Sequence, residues 1–215
     1  MNRPMNQLIL VVALASEPVG RADLVISWSG GMEGLHREDG VWGYDFTVGA
    51  MDLLVTSLGV WDRGQNGFGV SHPVGLWNKA GDLVAEITVQ EGTESPLMGQ
   101  FRYEDLFAPV TLEAHASYVL AASFSPNDDD RTLSWTRDVE LGAGIASVGD
   151  PLYVLSPGLV FPDTAMDRVS FGFLGRNMQY SVVPEPGTFA LMGIGLGTLL
   201  FKNRRRLLDG LHNRR

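Results

Sequence analysis

The chain has no cysteine. A structural disulfide, an iron–sulfur cluster and a thiolate zinc site are therefore excluded, and any folded unit must be held by its apolar core. Positive charge is also scarce in the middle of the chain. Between Asp23 and Val183 there are 22 acidic against eight basic side chains, a balance of −14, while the two ends together carry +5. A field of that sign repels nucleic acid phosphates, so no nucleic acid partner is expected. Phosphate-cradling loops of the Walker type do not occur. No repeat of 20–50 residues is visible.

Nor do the histidines spell out a metal site. His36, His72, His115 and His212 are too far apart in sequence for local pairing at i+2, i+3 or i+4, and each reads as a surface or turn residue. Ser71-His72 is not set in a Gly-x-Ser-x-Gly elbow, and neighbours on an extended chain point apart, so the two are not a nucleophile and its base. Glu104 and Asp105 are adjacent on an expected strand and face opposite sides, which does not suit a glycosidase pair. No catalytic residue and no cofactor is implied, and the chain reads as a non-enzyme.

What is present begins with two apolar ends. Arg3 and the run Leu8–Ala15 precede Pro18, and Gly20-Arg21-Ala22 places small residues at −3 and −1 of a cleavage site between Ala22 and Asp23. That is a signal peptide pattern over residues 1–22. At the other end, Gly187–Phe201 is uncharged and is followed by Lys202, Arg204, Arg205 and Arg206. Fifteen helical residues reach ~22 Å, and ~27 Å to a snorkelling Arg204, against a bilayer core of ~30 Å. A short transmembrane helix over 187–201 is expected, with the basic cluster as its cytoplasmic stop. The acidic middle then lies outside, as the signal peptide also requires.

Pro184-Glu185-Pro186, the apolar run and the Arg cluster together resemble the PEP-CTERM sorting signal of Gram-negative bacteria. The resemblance implies a processing partner, an exosortase, which is a membrane-embedded cysteine transpeptidase-like enzyme. It implies Pro184, Glu185 and Pro186 as the sorting motif within residues 184–206. Residues 207–215 continue past the pattern's usual end as a basic cytoplasmic tail.

Residues 23–183 read as one extracytoplasmic all-β domain, an antiparallel β-sandwich or jelly roll. Trp42, Tyr44, Phe46 and Val48 alternate with Gly43, Asp45 and Thr47, a period of two. Further strands are expected over 53–61, 74–78, 83–89, 101–106, 117–124, 169–173 and 178–183, with a hairpin loop at Asn78–Asp82. Ser57–Asp62, His72–Asn78, Ala80–Ala85, Phe101-Arg102-Tyr103, Pro109-Val110-Thr111-Leu112 and Tyr118-Val119-Leu120 resemble a recurring exported β-sandwich domain that has no assigned activity.

Two cation candidates arise from carboxylates in polar loops: Asp128, Asp129 and Asp130, and Asp62 with Asn66 before Gly67. The first does not follow the EF-hand pattern, since the sixth and twelfth places counted from Asp128 are Leu133 and Val139, and a solvated turn suits both better. The five tryptophans admit stacking on sugars but suit core packing better. The functional expectation is an exported surface or extracellular-matrix protein, anchored in the inner membrane before processing, with exopolysaccharide as a candidate partner. Two other readings stay open, a secreted carbohydrate-binding or carbohydrate-active hydrolase and a calcium-stabilised adhesive module.

Overall fold

A computed structural model describes residues 23–29, 32–34, 39–125, 132–135, 138–166 and 175–184. The signal peptide, the apolar run at 187–201, the basic stop and the strand expected at 169–173 lie outside the described residues.

The described chain is all-β, and every strand pairing is antiparallel. Its strands are β1 (Asp23–Leu24), β2 (Ile26–Ser29), β3 (Met32–Gly34), β4 (Gly40–Val48), β5 (Leu53–Trp61), β6 (His72–Asn78), β7 (Leu83–Val89) and β8 (Leu97–Met98). They continue as β9 (Phe101–Leu112), β10 (Ser117–Phe124), β11 (Thr132–Trp135), β12 (Asp138–Leu141), β13 (Ile145–Val154), β14 (Thr164–Ala165) and β15 (Arg176–Val182). One sheet has the order β1-β15-β5-β9-β8 and the other β14-β13-β4-β10-β6-β7, with β11-β3 and β12-β2 as separate ribbons.

The alternation in β4 sets the main core. Trp42, Tyr44, Phe46 and Val48 are buried, while Asp45 and Thr47 are half-buried. They join Leu76, Leu120 and Ala122 of their own sheet and Val55, Leu58, Val60, Leu112, Met178 and Tyr180 of the other in one cluster. Each such side chain contributes ~1.5–3 kcal/mol by leaving water, before entropy is subtracted. Trp42 stacks on its cross-strand neighbour Tyr153, with ring centroids 5.1 Å apart and planes 12° from parallel.

A second cluster of Val41, Trp77, Val119, Ala121 and Leu152 packs with Leu159 and Phe161. Trp77 and Phe161 meet edge to face, with centroids 6.2 Å apart. The non-strand segment after β13 thus supplies the apolar cover for this second set of side chains.

The hairpin between β6 and β7 forms as expected. The Asn78 side-chain carbonyl accepts the amides of Ala80 and Asp82, and Gly81 takes the left-handed backbone (φ 92°) that the turn needs. Strand β9 runs on past Leu106 to Leu112, through Ala108-Pro109. Its register against β5 shifts between Val55 and Ser57, so the residues around Phe107 are left out of that ladder, and Phe107 is fully exposed. Strand β13 was not expected from the sequence. Gly149-Asp150-Pro151 has the composition of a turn, but β13 absorbs it as a bulge between Val148 and Pro151 opposite β4.

Candidate functional site

Strand β15 pairs on both sides, with β1 and with β5. Its ladder carries on past its last residue, because the Val183 amide donates to the Asp52 carbonyl at 2.8 Å. Pro184 has no amide hydrogen, so the ladder stops there, and Pro184 is exposed. Glu185, Pro186, Lys202, Arg204, Arg205 and Arg206 lie outside the described residues, as does Ala22 of the cleavage site. Asp23, on the other side of that site, pairs with Tyr180 at the sheet edge.

Residues 182–206 match the family model described as the PEP-CTERM protein-sorting motif. The chain carries a PEP-CTERM sorting motif. It begins on the last residue of β15, without an intervening spacer. A PEP-CTERM motif implies export, membrane association and processing by an exosortase-type enzyme. No curated protein and no solved structure matches the chain.

Elsewhere among the described residues, the groups with chemical potential are engaged in structure. Asp62 is buried, and its carboxylate accepts Arg102 Nε at 2.7 Å and the amides of Asn66 and Gly67 at 3.2 and 3.0 Å. Arg102 Nη1 also donates to the carbonyls of Thr93 and Ser95. This pair ties the 62–67 turn to the segment before β8. Asp62 reads in the sequence as part of a solvated turn, with a cation site as the alternative; its carboxylate is instead buried and bonded to a guanidinium. Asp128, Asp129 and Asp130 lie outside the described residues, and no group of three or more His, Asp or Glu suited to a metal occurs among those described.

His72 also departs from expectation, being buried rather than at a surface turn. Its ring sits between Phe68 and Phe124, with centroids 4.8 and 4.7 Å away, and Nδ1 lies 3.2 Å from the Ser123 carbonyl. Ser71 does not pair with it, and the Ser71 hydroxyl instead accepts the Glu91 amide at 3.1 Å. His115 is a turn residue, exposed and with φ 62°. Glu104 accepts Ser95 Oγ at 2.6 Å and Asp105 accepts Ser57 Oγ at 2.7 Å, so two different segments hold these carboxylates. Trp42, Trp61 and Trp77 are buried and present no exposed stacking face.

A cluster the sequence did not announce lies in the core. The Tyr44 hydroxyl donates to the Arg176 carbonyl at 2.9 Å, and the buried Arg176 guanidinium lies 4.3 Å from the centroid of Phe124. Burial pushes the Tyr44 hydroxyl well above the ordinary tyrosine value; a charged Tyr103 would add to this, and Arg176 opposes it. Burial raises Tyr103 and Tyr180 as well, the latter helped by the charge of Asp23. Arg102 between Phe101 and Tyr103, and Arg176 leading into β15, were the available signals, since an arginine on a buried strand needs partners.

A surface cleft of about 280 Å³ is lined by Asp39, Ser71, Pro73, Ser123, Ser125 and Pro157, among others. It lies just under the ~300–1,000 Å³ usual for small-molecule sites. Its hydroxyls and single carboxylate offer hydrogen bonds to a small polar group.

Proposed function

We propose that this chain is a non-catalytic surface or extracellular-matrix protein, delivered through its PEP-CTERM motif after removal of residues 1–22. The observation that carries the reading is the direct passage from β15 into the motif at residues 182–206. The apolar run at 187–201 holds the domain at the inner membrane, and exosortase-type processing releases it or transfers it outward. Support for a non-catalytic role comes from the engaged carboxylates. Asp62, Glu104 and Asp105 are each bonded to structural partners, and His72 is enclosed by phenyl rings.

Exopolysaccharide is the proposed partner of the delivered domain. The cleft beside Ser71, Ser123 and Asp39 has the hydroxyl and carboxylate acceptors that a neutral sugar would use, and the −14 balance of residues 23–183 disfavours an anionic polymer. The test is fractionation of the native host expressing the chain with Pro184, Glu185 and Pro186 all replaced by alanine. The variant is expected to stay in the inner-membrane fraction while the natural sequence reaches the surface or medium. Equal delivery of both would overturn the reading.

A further inference from the structure

The last backbone bond of the fold, Val183 to Asp52, leaves only Pro184, Glu185 and Pro186 before the apolar run begins at Gly187. Three extended residues reach ~10 Å. The polar layer on one side of a bilayer is ~5–7 Å deep, from a core of ~30 Å within ~40–45 Å overall. The connection therefore spans the headgroups with little slack.

Strand register shows which end of the sandwich this brings to the lipid. Val182 pairs with Leu53 and Leu53 with Leu112, while in the other sheet Ile145 pairs with Val48 and Ser117 with Thr47. The turns at 49–52, 113–116 and 142–144 thus gather at the end where β15 finishes. They are bonded to one another: Gly49 N donates to Gly144 O at 2.6 Å, His115 N to Gly49 O at 2.9 Å and Ala114 N to Asp52 Oδ1 at 2.8 Å. These turns contain glycines, alanines, Met51, His115 and two acidic residues, and the β6–β7 hairpin with Lys79 lies at the same end. Met51 and Val183 are exposed at 40% and 37%. At the opposite end lie the exposed Glu91 and Glu94, beyond Val89, whose partner is His72.

We propose that this bonded platform is a membrane-facing surface. It seats the domain on the headgroup layer while the tail is in the bilayer, with Met51 and Val183 against the lipid. The far end then stands roughly 30 Å away, since the nine residues of β5 at ~3.3 Å each separate the two ends. The inference rests on the reading of 187–201 as the membrane anchor.

Because the chain lacks cysteine, single labels can be placed without background. The full chain carrying Met51→Cys or Glu94→Cys, labelled with a fluorophore, is reconstituted in phosphatidylcholine–phosphatidylglycerol vesicles whose headgroups bear a nitroxide quencher. Ala143→Cys and Glu91→Cys form a second pair. Quenching several-fold stronger at 51 and 143 than at 94 and 91 is expected. Vesicle-bound chain with equal quenching at both ends would overturn the platform and leave the anchor standing. Chain that fails to float with the vesicles would overturn the anchor and the platform together.

Discussion

The amide of Val183 donates to the carbonyl of Asp52 at 2.8 Å, one residue before Pro184. The folded domain and the sorting motif therefore share residues, since the motif begins at Val182 inside the ladder. A processing enzyme acting on the folded protein finds the backbone up to Val183 held in the ladder. The mature C-terminus is accordingly expected at or after residue 183. Val183→Pro removes the amide and is expected to cost ~0.5–1.5 kcal/mol in urea unfolding of the domain. No change in the urea midpoint would show that this bond contributes nothing.

Asp62 and Arg102 make a second test. Both side chains are almost fully buried, so removing one leaves the other as an uncompensated charge. Asp62→Ala is expected to destabilise the domain by ~3–5 kcal/mol, measured by denaturant unfolding. Added calcium should leave the stability of the natural sequence unchanged. A calcium-dependent rise that Asp62→Ala abolishes would make Asp62 a cation ligand.

Two buried tyrosines should answer oppositely to loss of the hydroxyl. Tyr44 donates to the Arg176 carbonyl, whereas the Tyr103 hydroxyl has no hydrogen-bond partner among the described residues. Tyr44→Phe is expected to cost ~1 kcal/mol, and Tyr103→Phe to be neutral or stabilising, because an unpaired polar atom is removed. Equal losses from thermal unfolding of the two variants would contradict this pairing.

The same burial predicts an alkaline limit. The hydroxyls of Tyr44, Tyr103 and Tyr180 are held above their ordinary value in the fold. The unfolded chain loses these protons as pH passes ~10, while the folded chain keeps them. Their contribution to stability is thus complete below pH ~10 and is lost as pH rises beyond it. Tyrosinate absorbance for three of the five tyrosines should appear together with unfolding. Full titration of all five in a domain that retains its circular dichroism would contradict the buried hydroxyls.

Alternation made much of this fold legible in advance. Strands β5, β7 and β10 lie within the bounds expected from the sequence, and β4 buries the residues that its period of two selects. Strand β13 was hidden because Gly149-Asp150-Pro151 reads as a turn, and only pairing to β4 turns it into a bulge. His72 was misplaced for a related reason. Its partners Phe68 and Phe124 converge only in three dimensions, and no local spacing records that. The sorting motif was legible because its parts are contiguous. The Asp62–Arg102 clamp was not, since it joins residues 40 apart.

Intact-mass analysis of the mature protein from its native host tests the central claim most directly. An N-terminus at Asp23 and a C-terminus between Val183 and Arg206, with the basic tail gone, is the predicted result. A C-terminus still at Arg215 would contradict processing at the motif.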